Sequence, residues 1–184
     1  MIKKFNPRIK ARLRKNRQVL NKNIGNFFGW VKGAKLVELK ECNPEEDPVR
    51  PELDNKFRTG YGRKIFGVEY KEEIYAVMCF AYTNAIPKSV EELEKLSTDA
   101  FLQTAMRDQA GGQIAIAYTV WSKKKGGGKL IVKEVFKKIK KSNHLNRLVT
   151  LSPLTEMATN FHERNGAKLI QINETTQNFE YKVM

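Results

Sequence analysis

Hydrophobic positions along this 184-residue chain change period part-way through. Near the start, Ile9, Leu13, Leu20, Ile24, Phe27 and Val31 recur at steps of three, four or seven, which sets them on one stripe of a helix. Lys10, Arg12, Arg14, Lys15 and Arg17 cover much of the remaining surface, so the segment reads as a basic amphipathic helix. A strand is predicted over Lys35–Glu41, followed by CNPEEDPVRPELDN, an irregular acidic stretch with three prolines. From Gly60 the pattern becomes regular. Ile65–Tyr70 and Ile74–Tyr82 read as paired strands, rich in β-branched and aromatic residues. SVEELEKLS opens a helix with a capping box, and Gln113–Trp121 is a strand. Leu130–Lys141 has helical periodicity with a basic outer face, and Arg147–Leu151 is a short strand. Pro153–Asn165 reads as a helix stopped by Gly166, and Lys168–Asn173 and Asn178–Val183 as two closing strands. This order predicts an α/β (α+β) fold, a single mixed β-sheet with helices on its faces. The expected division is a basic arm over 1–34, a strand plus acidic linker over 35–59, and a main domain over 60–184.

Composition adds a partner. Lys and Arg number 34 against 20 acids, a formal net charge of +14, and twelve of the basic residues fall in the first forty positions. An anionic partner follows: nucleic acid, a membrane surface, an acidic protein or a polyphosphate cofactor. The basic arm could equally dock on a neighbouring subunit, making an oligomer, or pack on its own domain with its lysines in water. No interleaving of aromatic and basic residues points to base readout. Cys42 and Cys79 are too few for a disulfide framework and lack metal-ligand spacing, so no metal is expected. No apolar run reaches the ~18 residues of a transmembrane span, and MIKKFNPRIKARLRK lacks the apolar core of a signal peptide. A soluble cytoplasmic protein is the expectation, with a virion component as the alternative.

The candidate chemistry begins at WSKKKGGGKL. Lys123, Lys124 and Lys125 meet Gly126, Gly127 and Gly128 between a strand and a helix, with Lys129 in the first helical turn. Glycines let the backbone approach a ligand, and the helix start aims N–H groups at an anion, which suits a pyrophosphate. A flexible basic turn is the plainer reading. The Walker pattern fails because no Ser or Thr follows Lys129, and no dinucleotide fingerprint is present. The second cluster is TLSPLTEMATNFHERNGAKLIQIN. Ser152 before Pro153 has the form of a helix N-cap, and His162 that of an ordinary helix residue. His144 lies in a polar SNHLN turn and reads as solvated.

These segments together resemble the catalytic domain of the malonyl-CoA decarboxylases, which has the fold of the GNAT acetyltransferases. Thr150-Leu151-Ser152-Pro153 resembles that family's T-L-S-P motif, and Phe161-His162-Glu163-Arg164-Asn165-Gly166-Ala167 its F-H-x-x-N-G-A motif. Asn178-Phe179-Glu180-Tyr181 is similar to its terminal Asn-Tyr-x-Tyr strand, and Gly62-Arg63-Lys64-Ile65-Phe66 to its basic strand start. Lys123-x-x-Gly126-x-Gly128 resembles the GNAT pyrophosphate loop with lysine in first place. The resemblance covers residues ~60 to the end and implies a GNAT-like mixed sheet that binds acyl-CoA at residues 123–129. It implies Ser152 and His162 as the residues that meet a malonyl thioester, the histidine as proton donor.

The chain departs from that family in three ways. Its loop has no glutamate, no helical oligomerisation domain precedes the main domain, and Ser152 and His162 are only ten residues apart. Ten residues of one straight helix advance about 15 Å, which would keep the two side chains apart. Such compact spacing is that of an ordinary GNAT, where Ala158 and Phe161 match the Ala-x-x-Phe/Leu-Tyr helix and His162 takes the tyrosine position. Three functions are therefore open: an acyl-CoA enzyme (decarboxylase or acyltransferase), a non-catalytic assembly or nucleic-acid-associated protein, and an N-acetyltransferase.

Overall fold

In the computed structural model, residues 29–107 and 112–181 are described. The chain divides into two compact units, Met1–Ala34 and Lys35–Met184. Most of the basic amphipathic helix expected near the start lies outside the described residues, of which 29–33 are helical. Among the described residues, no helix is long and apolar enough to cross a membrane.

The second unit is one mixed sheet built from strands β1 (Lys35–Leu39), β2 (Lys64–Tyr70), β3 (Glu73–Thr83), β4 (Ile114–Ser122), β5 (Arg147–Thr150), β6 (Ser152–Pro153), β7 (Ala167–Ile172) and β8 (Thr176–Tyr181). β1 to β4 form an antiparallel meander, β4 and β5 run parallel, and β8 lies antiparallel to β5, β6 and β7. Among the described residues, its α-helices are α1 (Asn55–Thr59), α2 (Val90–Arg107), α3 (Gly127–Lys140) and α4 (Glu156–Arg164). The expected fold class is the one observed.

Alternation along the central strands divides two cores. Ile65, Val77, Cys79, Ile116 and Tyr118 face Leu93 of α2 in one cluster. α3 buries Leu130, Ile131, Val135 and Ile139 while Lys137, Lys138 and Lys140 crowd its last turn. The capping box at α2 forms with an offset. Ser89 Oγ accepts from Glu92 N, but the Glu92 carboxylate accepts from Lys88 N, one residue earlier than the Ser89 N–H.

The acidic, proline-containing stretch folds into this unit. Asp47 and Arg58 are both fully buried and paired at 2.9 Å. Asp47 also accepts from Thr119 Oγ1 and from the backbone N–H groups of Val49 and Arg50. Arg50 in turn donates from Nε to Tyr118 O (2.9 Å) and from Nη2 to Leu151 O (3.0 Å). Those carbonyls belong to β4 and to the residue joining β5 to β6, so Arg50 bridges the two central parallel strands.

Candidate functional site

The bridge marks where those strands part. β4 and β5 pair from Ile114↔Arg147 to Ala117↔Thr150, and Leu151 N donates to Ala117 O as the last link. β4 then bulges at Tyr118, where its register against β3 jumps from Cys79↔Thr119 to Phe80↔Ala117. A bulge adds a residue and sharpens the twist, turning β4 away from β5. Among the described residues, no strand pairs with the edge of β4 facing β5 from Tyr118 to Ser122. The resulting cleft has a volume of about 350 Å³, with walls of Val49, Met78, Ala117, Trp121, Leu148, Met157 and Phe161. Its length follows from β4: Ala117 to Lys123 is six residue steps, roughly 20 Å at the rise of a strand.

Ser152 and His162 line this cleft, and they touch. Ser152 Oγ and His162 Nε2 are 2.8 Å apart. This corrects the expectation that a single straight helix over Pro153–Asn165 holds them apart. Ser152-Pro153 pairs with Gln177 and Thr176 of β8 as β6, so Ser152 is no N-cap. Thr155 caps the helix instead, its Oγ1 accepting from Ala158 N, and α4 starts at Glu156. Strand and helix then form a hairpin. Three extended residues back from Thr155 and seven helical residues forward are each about 10 Å long, which brings residue 152 level with residue 162.

β8 supplies the rest of the site. His162 Nδ1 lies 2.8 Å from Tyr181 Oη, and Phe179 stacks on the imidazole at 5.0 Å. Ser152 Oγ also meets Thr150 Oγ1 at 3.0 Å, and Thr150 Oγ1 accepts from Phe179 N. A continuous chain Tyr181–His162–Ser152–Thr150 therefore runs along the cleft floor. Shifting the imidazole proton from one ring nitrogen to the other reverses its direction. Asn178 holds the floor in place, donating to Thr150 O and Pro87 O, and Gln177 does the same for Pro153 O. Burial lowers the His162 pKa to about 4, so the imidazole is uncharged at neutral pH. Burial also raises the Tyr181 pKa, which keeps the phenol a proton-bearing donor. On another part of the wall, Tyr118 Oη and Trp121 Nε1 are buried donors without an acceptor among the described residues.

The lysine-glycine loop is divided by the structure. Lys123 and Gly128 line the cleft, whereas Lys125 and Lys129 are exposed. Lys123 pairs with Glu46 at 2.7 Å, and the Lys124 ammonium lies 4.3 Å from the Tyr75 ring centre. Gly126 caps α3 with φ of 86°, a left-handed conformation suited to glycine. A Cβ on Gly127 would lie 3.0 Å from Ser122 Cβ and 3.2 Å from Tyr75 O, and one on Gly128 would lie 3.0 Å from the Phe161 ring. The glycines therefore let α3 begin hard against β3 and α4. The first-turn N–H groups of Gly128 and Lys129 have no acceptor within the helix, and Gly128 is at the cleft.

Of the residues described above, sequence reasoning singled out Ser152, His162 and the loop as candidates, and not Thr150, Tyr181, Asp47, Arg50 or Arg58. Tyr181 carried a signal, as the last residue of the Asn-Phe-Glu-Tyr strand. The buried charges carried none, because they lie in a segment whose composition reads as a linker.

No protein-family model matches the chain, and no curated protein matches it. Solved structures do. The GphF GNAT-like decarboxylase, in complex with isobutyryl-CoA, aligns at a TM-score of 0.62 and 9% identity over 80% of this chain and 98% of that one. The loading GNATL domain of CurA from Lyngbya majuscula gives 0.56 and 13% over 80% and 96%. A Bacillus subtilis acetyltransferase in complex with CoA gives 0.55 and 12% over 82% and 99%. The chain also aligns with malonyl-CoA decarboxylase from Cupriavidus metallidurans, at 0.47 and 17%, spanning 36% of that longer protein. The chain has the GNAT fold.

Proposed function

We propose that this chain binds a CoA thioester along the β4–β5 cleft and decarboxylates a malonyl-type acyl group at Ser152 and His162. The observation that carries this reading is the 2.8 Å contact between Ser152 Oγ and His162 Nε2 on the cleft floor. The unpaired edge of β4 can bond the pantetheine amides as an added strand would. The Gly128 and Lys129 N–H groups, with Lys123, Lys125 and Lys129, suit the pyrophosphate. The cleft length fits the arm between them.

Decarboxylation breaks the bond from the α-carbon to the carboxylate and releases CO2. The electron pair passes to the thioester as an enolate, whose oxygen needs hydrogen-bond donors. A neutral imidazole donates hydrogen bonds without being a strong acid, so His162 and Ser152 polarise that oxygen. The proton that completes the α-carbon comes through the hydroxyl–imidazole chain and is replaced from solvent, one proton per turnover. The apolar walls keep water from the reacting carbon. An acyltransferase would use the same thioester site and hand the acyl group to an amine.

Incubation with malonyl-CoA is expected to yield acetyl-CoA, read by mass spectrometry, and His162→Ala to lower that rate roughly tenfold or more. Free CoA appearing only when an amine is added would favour transfer. No calorimetric affinity for CoA, acetyl-CoA or malonyl-CoA would sink both readings.

A further inference from the structure

The helix that follows the glycine loop carries charge well beyond the loop itself. Between Lys129 and Lys141, six exposed lysines stand against one acid, Glu134, which pairs with Lys137 at 2.8 Å. Lys129, Lys133, Lys137 and Lys141 follow one another at four-residue steps, the last as the C-cap of α3. Each step advances about 6 Å along the axis and turns by about 40°, so the four occupy roughly a third of the helix circumference. Ile131, Val135 and Ile139 are buried on the other side. At its C-terminal end the stripe meets an open concavity of about 700 Å³, lined by Lys137, Lys138, Lys141, His144 and Tyr82, with Glu134 as the acid there. Like charges four residues apart weaken a helix, so the fold itself does not call for this stripe. The helix dipole favours lysines in the last turn, which leaves Lys129 and Lys133, in the first two turns, without that reason.

We propose that this face of α3 binds the phosphate backbone of a single-stranded nucleic acid. The four-residue step is close to the spacing of neighbouring phosphates along an extended strand, so successive lysines meet successive phosphates. A flexible single strand can follow the stripe as it turns around the helix, and the concavity at its end brings Lys137, Lys138 and Lys141 to one place for a further phosphate. The exposed Lys137–Glu134 pair is worth little in water and exchanges readily for a phosphate. A membrane surface or a protein partner would need apolar anchors among the lysines. The exposed large hydrophobics of the described residues lie on other elements, among them Leu169, Ile170 and Ile172 of β7 and Met157 of α4. Contacts of this kind position a strand without reading its bases.

The test is binding of the full-length protein to a fluorescein-labelled oligothymidylate, read by fluorescence anisotropy over a series of KCl concentrations. No acyl-CoA enters it. The parent is compared with Lys133→Gln/Lys137→Gln/Lys141→Gln and with a control of equal charge, Lys56→Gln/Lys95→Gln/Lys168→Gln. The control lysines are exposed on α1, α2 and β7, and the basic residues of 1–34 are common to all three proteins. For a single strand, the slope of log K against log salt falls by about 0.7 for each phosphate contact removed. The α3 variant is therefore expected to show a slope shallower by about 2 and an affinity lower by roughly tenfold or more at about 0.1 M KCl. The control is expected to stay within about twofold of the parent. Equal losses in the two variants would show that net charge, and not this face, drives binding, and would overturn the proposal. So would a parent protein that takes up phosphatidylserine vesicles but not the oligonucleotide, or one that binds neither.

Discussion

At the scale of single residues, His162 carries both the proposed chemistry and a pH dependence of stability. Its folded pKa of about 4 lies below the ordinary value of 6.5, because burial penalises the charged ring. Between those values the unfolded chain holds the extra proton. Stability is therefore greatest above pH 6.5 and falls as pH drops toward 4, by about 3 kcal/mol at 1.36 kcal/mol per pKa unit. Urea melts of the parent and of His162→Gln, run at pH 7 and pH 5, should show the parent losing more stability on acidification. Equal losses would show that the ring is not held neutral by burial. Ser152 and His162 were both legible as motif residues. That they touch was not, because contact depends on where the helix starts, and the pairing of Ser152-Pro153 with β8 together with the Thr155 cap decides that.

The elements show why a glycine run in a basic loop is more than flexibility. Gly127 is the first residue of α3, where alanine would ordinarily be favoured over glycine by up to about 1 kcal/mol. Here the new methyl would meet Ser122, Ala76 and the Tyr75 carbonyl at 3.0–3.2 Å. Gly127→Ala is therefore expected to destabilise the fold, since overpacking typically costs about 1–3 kcal/mol. Denaturant melts would check the sign; an unchanged or raised midpoint would mean that α3 can back away from β3. Strand positions were the most legible elements, since runs of β-branched and aromatic residues mark them: β3, β4 and β7 were each placed to within one residue at both ends. The expected final helix starts three residues too early. Its first three residues are strand and turn, because Pro153 at its first position, which imitates a helix start, pairs with β8 and Thr155 caps the helix instead.

For the whole molecule, the cleft depends on charges buried where the sequence looks like a tether. Asp47 and Arg58 form a fully buried pair, and removing one partner leaves the other uncompensated. Asp47→Ala is expected to cost about 3–5 kcal/mol, with much of it recovered in Asp47→Leu/Arg58→Met, because an apolar pair leaves no buried charge. Thermal or urea midpoints of the single and double variants would test this. A single variant within about 0.5 kcal/mol of the parent would show that the network does not hold the strands.

The sequence by itself displayed the succession of strands and helices along the chain, the basic face of the helix after the loop, the lysine-glycine loop and the serine and histidine motifs. Each is written in local periodicity or in a contiguous motif. Only the tertiary structure decided that Ser152 reaches His162 and that Tyr181 completes the chain behind them. It alone decided that Arg50 bridges the parting strands. Those contacts join residues from different elements, and their geometry is set by a β-bulge, a strand–helix hairpin and buried charge pairing. None of these has a period that a sequence can display.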